Sequence, residues 1–488
     1  MPSPTRARRA PALVAVCLAA ALVPVTTTPA SGAPAPEARA GYGRLYVPLR
    51  TPIAGVPFKI KGFLTSDVRR PVLLQRQRAS GRFETISRTR AGASGKYAFT
   101  GVTLPRSSIL RARAPRFKGS LNHAKDRITT AEVAVPAVRQ SGRIAAVPGI
   151  VQQGAVPAAP EDGGYVVAGF RPPRAHRPVL LQRRVKDDWT TVARARQDRA
   201  GFAAFPVPPG GTYRAATRSS RHGRAVWTGT AVARSWTPAF DDTFSGDSLD
   251  RSVWTDRPAE GAPTQGRRTC ARVDGATRSV GAGTLQLGIG LDPERAGQTC
   301  SYTTDKYGAG TSPYLVNAQV DSREAFHFTY GIAAARVRWQ QPQGMHGGFW
   351  LLPSGGKIPG RPDLGTEVDV VEYFGQDSLK GGFGAFVHHL DAAGVNIPLG
   401  SDAFATARYK PRGDQWWSSY HVFSVEWTPE QYVFRVDGRE FWRERRAVSQ
   451  AGEYLVLSML TSDFELPDLS PDELSATASV DWARVWKG

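Results

Sequence analysis

Residues 366–372 read Thr-Glu-Val-Asp-Val-Val-Glu, three carboxylates inside a β-branched run. On a strand, side chains alternate faces, so Glu367 and Asp369 point the same way. Glu372 lies five positions from Glu367, an odd offset that a regular strand would turn to the opposite face. One extra residue, a β-bulge, restores the phase and aims Glu372 into the same cleft. The neighbours Val368, Val370, Val371, Tyr373 and Phe374 are apolar or aromatic, so the run is buried on at least one face. The stretch therefore predicts a bulged strand with all three acids on one side of a sheet.

Two Glu residues four regular strand steps apart have Cα atoms roughly 13 Å apart. Side chains leaning together across Asp369 would reach the separation of about 5 Å that a retaining glycosidase needs. Crowded carboxylates among apolar groups raise one another's pKa, which keeps one protonated while another is ionised. The same residue types also serve as a solvated sheet face or as calcium ligands. The apolar surroundings favour the catalytic reading.

Several further stretches make a resemblance plain. Thr366–Gly375 looks like the bulged active-site strand of glycoside hydrolase family 16, and the similarity covers residues 236–488. Phe240–Phe244 with Leu249, Asp250 and Trp254 is similar to the family's opening strand, and Phe349–Pro353 to the strand before the catalytic one. Phe328–Gly331 and Ala335–Val337 resemble the strand that leads to the concave sheet, and Ser479–Val485 the closing one. His421–Trp427 and Val436–Gly438 resemble late strands of the family. The resemblance implies a β-jelly roll of concanavalin-like type, with Glu367 as nucleophile and Glu372 as acid and then base. Asp369 would hydrogen-bond Glu367 between them. It also implies that His388 reaches the cleft and that Asp481 of the closing strand holds a structural calcium on the convex face. No cofactor is implied for catalysis, and the eight histidines show no ligand spacing beyond the adjacent His388 and His389.

Aromatic side chains are the candidates for carrying sugar rings: Trp350 and Trp416 first, then Tyr373, Phe374, Trp417 and Trp427. One departure bears on substrate. His346-Gly347-Gly348 stands where β-1,3-glucanases of the family commonly have W-P-A, which should open or reshape part of the groove and argues against laminarin.

Ahead of this half the chain repeats itself. Arg70–Arg76 (Arg-Pro-Val-Leu-Leu-Gln-Arg) recurs as Arg177–Arg183, an offset of 107. Phe83 has its counterpart in Trp189, and Lys96–Phe99 in Phe202–Phe205. Short alternating runs bounded by Gly, Pro, Asp and Ser, without helical periodicity, predict two small immunoglobulin-like β-sandwiches over 42–138 and 139–235. The Ala-, Pro- and Gly-rich segment 148–164 is expected to open the second loosely. The whole chain is thus expected to be all-β, consistent with two to four domains at 488 residues.

Residues 1–33 have the pattern of a secretory signal: Arg6, Arg8 and Arg9, the apolar run Ala10–Val25, and the small-residue site Ser31-Gly32-Ala33. That predicts a secreted, extracellular protein that does not enter the membrane. Two cysteines then remain, Cys270 and Cys300. In an oxidising compartment they favour a disulfide over free thiols. Closing that loop would stabilise by roughly 3–4 kcal/mol.

Charge divides the chain sharply. Residues 41–235 hold 35 Lys and Arg against 9 Asp and Glu, and residues 236–488 hold 24 against 32. Basic modules attract polyanions, and for a secreted chain these are anionic cell-wall polymers or acidic polysaccharides; no aromatic–basic motif for reading nucleic acid is present. The expected enzyme is a monomeric endo-acting hydrolase of a β-1,3- or mixed-linkage glucan. Transglycosylation by the same carboxylates, or a cell-wall-binding role with β-galactan or an acidic glycan as ligand, remains open on sequence alone.

Overall fold

A computed structural model describes residues 42–66, 68–117, 127–152, 163–218, 225–257, 268–376, 378, 383–401, 404 and 406–487. The expected signal segment lies outside them. The described residues are all-β, with only short 3-10 turns besides strands, and no helix among them is long and apolar enough to cross a membrane.

Two large sheets packed as a jelly-roll sandwich build the C-terminal half. The site sheet has nine strands, with Leu315–Asp321, Glu453–Leu460, His346–Pro353, Glu367–Tyr373, Phe383–Leu390 and Asn396–Ser401 adjacent in that order. The back sheet has eight, with Ala478–Trp486, Gly331–Arg338, His421–Thr428, Gln431–Val436 and Arg439–Glu444 in succession. Alternation explains the core between them. Phe349, Leu351, Val368, Val387, Leu455 and Leu457 face inward and are fully buried. Their strand neighbours Trp350, Glu367, Asp369 and His388 face the other way, paired across the sheet.

Each preceding unit is a pair of sheets around its own core. Phe58–Leu64 and its partners face a five-stranded sheet containing Arg70–Gln77, over Ile60, Leu74, Phe99 and Leu110. In the second unit, three strands centred on Gly164–Arg171 face four, ordered Asp188–Arg196, Pro178–Val185, Thr212–Arg218, Ala225–Val232.

The second unit is not a bead on a string. Strand Gly164–Arg171 turns Val166, Ala168 and Phe170 into its own core, while Tyr165 and Val167 join the core of the C-terminal half. Strand Phe202–Val207 does the same, with Phe202 and Ala204 on the shared side. Polar contacts border this seam: Arg143 pairs with Glu440 at 3.2 Å, and Arg439 with Asp198 at 2.7 Å. The described start of the expected loose segment is held as well, because Ile150 is fully buried and Gln152 accepts from Arg336 Nε at 2.7 Å.

Candidate active site

The bulge is present. Across to Phe383–Leu390, Glu367 pairs with His388 and Asp369 with Phe386, and then the register slips so that Glu372 meets Gly384. The same slip shows against His346–Pro353, where Trp350 faces Asp369 and Gly348 faces Glu372. Val370 and Val371 are consecutive and both buried, which is the signature of the extra residue. Glu367, Asp369 and Glu372 therefore share the outer face of the site sheet. Glu372 has a glycine on each neighbouring strand, Gly348 and Gly384. A Cβ on Gly348 would stand 2.9 Å from Ser458 Oγ and 3.2 Å from Trp350 Cδ1, so Ser458 and the Trp350 indole fill the space over this glycine.

Glu367 donates nothing and accepts from Lys357 Nζ at 2.7 Å. Lys357 also reaches Asn396 Oδ1 at 3.4 Å, and Asn396 Nδ2 stands 2.9 Å from His388 Nδ1. His388 Nε2 in turn meets Asp369 Oδ2 at 3.1 Å. Asp369 is expected from the resemblance to hydrogen-bond Glu367. Its bonded partner is instead His388, while Glu367 is bonded to Lys357. Ligand atoms of Glu367, Asp369 and His388 all lie within 4.8 Å of one another, so the two carboxylates are close enough to couple.

The electrostatics separate them. Burial would push Glu367 up, but the charges of Lys357, His388 and Arg268 outweigh it and hold the carboxyl below its ordinary value. Burial and the neighbouring Glu367 charge push Asp369 up, against the His388 hydrogen bond. His388 is raised: burial opposes its charge, and Asp369 and Glu367 more than restore it. One carboxyl kept ionised beside another biased toward its neutral form is an arrangement suited to acid–base work.

Trp350 lies on this face, half-buried, with Nε1 donating to Ser458 Oγ at 3.1 Å. It packs with Leu352, Tyr454 and Val456 into an apolar floor distinct from the main core. Trp416 is a correction. It is buried, edge-on to Phe383 at 5.2 Å and against Phe423 at 5.8 Å, so it fills the core between the sheets instead of meeting a sugar. Tyr373 and Trp427 are core residues too. The Asp481 expectation is also redrawn, since its carboxylate is paired with Arg336 Nη1 at 2.7 Å, a fixed cation where calcium was expected. His346 is buried, with Nδ1 2.7 Å from Glu465 Oε1 and its ring beside Phe374. The W-P-A position is thus reshaped around a His–Glu pair.

Sequence reasoning missed Lys357 and Asn396. Lys357 is a single Lys in the Gly- and Pro-rich connection 354–365 before the bulged acidic strand, where no periodicity marks it. It also missed Arg268, two positions before Cys270. Cys270 and Cys300 form a disulfide with Cα atoms 5.6 Å apart. Thr269 is fixed beside it, its N and Oγ1 both donating to Asp463.

Residues 291–467 match the family model Glycosyl hydrolases family 16. The chain is 24% identical over 188 residues to glucan endo-1,3-beta-glucosidase A1 of Niallia circulans, covering 35% of this chain and 26% of that protein. It is 33% identical over 113 residues to endo-1,3-1,4-beta-glycanase ExsH of Rhizobium meliloti, covering 23% and 20%. The match therefore spans about a quarter of these relatives' length or less. Among solved structures, it is similar to an endo-beta-1,3-glucanase from Pyrococcus furiosus (18% identity, 52% of this chain, 94% of that one, TM-score 0.40). It is also similar to the laminarinase catalytic domain from Thermotoga maritima (17%, 52%, 98%, TM-score 0.40). With the bulged acidic strand in place inside the matched segment, the C-terminal region of this chain is a domain of glycosyl hydrolases family 16.

Proposed function

We propose that the protein is a secreted, retaining endo-β-glycan hydrolase acting on a β-1,3- or mixed-linkage glucan. The observation that carries this reading is the bulge at Val370, which brings Glu367 and Glu372 onto one face with Asp369 between them. The names of the two curated relatives, a 1,3- and a 1,3-1,4-glycanase, support the choice of linkage.

In this mechanism Glu367, held ionised by Lys357, attacks the anomeric carbon and forms the glycosyl ester. Glu372 gives its proton to the leaving oxygen, then takes one from the water that cleaves the ester. Asp369 and His388 form a hydrogen-bonded pair beside Glu367 that follows its change of charge. Trp350, half-buried on this face, offers a ring face to the sugars.

The test is reducing-sugar release by the purified protein over a panel of β-glucans and β-galactans, with product sizing. Glu367→Gln and Glu372→Gln should each cut turnover by roughly 10³-fold or more while the thermal melt stays put. Turnover near wild type in either variant would refute the assignment. Products longer than the substrate would reassign the reaction to glycosyl transfer.

A further inference from the structure

The outer face of the second unit's four-stranded sheet carries a feature that the hydrolase site does not use. Arg214 Nε donates to Gln182 Oε1 at 2.9 Å. Its guanidinium lies 4.3 Å from the Trp189 ring centroid and 4.2 Å from that of Trp227. An Arg stacked between two indoles is held flat and rigid, with less entropy left to lose on binding. Trp227 is 42% exposed within the whole chain. Register places Arg184, Arg194 and Arg196 on the same face, opposite Trp189, Leu180 and Pro178 respectively, while Leu180 is also a neighbour of Ala216 and through it of Trp227. Val179, Leu181, Tyr213 and Ala215 occupy the reverse face and form the core.

The first unit provides a built-in comparison. There Arg111 stacks 3.6 Å from the Phe83 centroid and its Nε donates to Gln75 at 3.0 Å. One acid tempers that copy on this face, Glu132 at 3.9 Å from Arg111, while Glu84 and Arg76 lie opposite each other on the reverse face. In the second unit the acid paired on this face is Asp187, at the turn and 3.6 Å from Arg184. The repeat thus preserves one Arg–aromatic stack in both copies. Arg88 and Arg90 stand in the first copy where Arg194 and Arg196 stand in the second, so the second adds the exposed indole of Trp227 and, at the position of Gln77, Arg184.

We propose that this face binds a polyanionic glycan, a chain of uronate or sulfated sugars lying across the strands. Its pyranose rings would stack on Trp227 and Trp189, and its carboxylates or sulfates would meet the surrounding guanidiniums. The choice of a glycan over another polyanion rests on the proposed hydrolase activity. The site itself is independent of the catalytic carboxylates, so binding and cleavage can fail separately.

The experiment is affinity electrophoresis of the full-length Glu367→Gln protein in gels containing polygalacturonate, dextran sulfate, neutral dextran or single-stranded DNA. Retardation by the two anionic glycans, weakening with salt, and none by neutral dextran, is expected. Trp227→Ala, and separately Arg194→Glu, should each weaken binding about ten-fold. Phe83→Ala in the first unit should leave it unchanged. Arg194 is exposed, so its reversal tests the face even if loss of the indole disturbs packing. Absent retardation, unchanged binding in both second-unit variants, or binding to DNA as tight as to the glycans would overturn the proposal. Reducing-sugar release by the wild type, measured in parallel, tells failure of this face from failure of the hydrolase reading.

Discussion

Lys357 makes a specific demand on the chemistry. Its ammonium is the group bonded to Glu367, and its positive charge is one of those that keep the carboxyl low. Lys357→Met should therefore raise the Glu367 pKa and move the acid limb of the kcat/KM profile to higher pH, with activity at low pH falling first. An acid limb that stays in place would show that Lys357 does not tune Glu367. Glu453, fully buried behind the same strand beside Thr366 and Ser449, is the opposite case. Burial pushes it up to about 8, against the pull of those neighbours. The folded state holds that proton while an unfolded chain releases it near its ordinary value, so stability declines as pH rises from about 4.5 to about 8. The loss is on the order of 5 kcal/mol at most. Glu453→Gln should flatten the dependence of Tm on pH across that window. An unchanged slope would mean that Glu453 is ionised in the fold.

At the level of elements, the bulged acidic strand was legible because parity is a property of sequence. Three acids at odd and even offsets among valines can share a face only through one added residue, and the slip at Val370 is that residue. Trp416 was not legible, since a Trp near a sheet edge looks the same in sequence whether it faces a groove or Phe383. Lys357 and Asn396 lie on different elements, a connection and an edge strand, and only pairing of Asn396–Ser401 with Phe383–Leu390 brings them together. The disulfide was legible from cysteine count and context. What it ties was not: Cys270 anchors Thr269 against Asp463, near the buried His346–Glu465 pair. Cys270→Ser with Cys300→Ser should cost about 3 kcal/mol, read as a lower urea midpoint with little change in slope. A midpoint unmoved would show that the Asp463 contacts alone suffice.

For the molecule as a whole, the repeat marked two similar β units, yet it did not reveal that they are attached differently. The first keeps its core to itself. The second commits Tyr165, Val167, Phe202 and Ala204 to the core of the C-terminal half. The Gly-Tyr-Val-Val-Ala-Gly-Phe run of its central strand is apolar at successive positions rather than alternating, the pattern of a strand buried on both faces. Calorimetry should therefore resolve two cooperative transitions, one for 42–138 and one for the remainder, with Tyr165→Ala lowering only the latter. Three separate transitions would contradict the shared core.

That doubly buried strand also decides what trimming could do to this protein. A protease cutting ahead of residue 139 would shed the first unit as a separate body. A cut between the second unit and the C-terminal half would sever the chain but leave them clasped through Tyr165, Val167 and Phe202. Nicked forms would then carry the Trp227 face and the Glu367–Glu372 face together, as one particle.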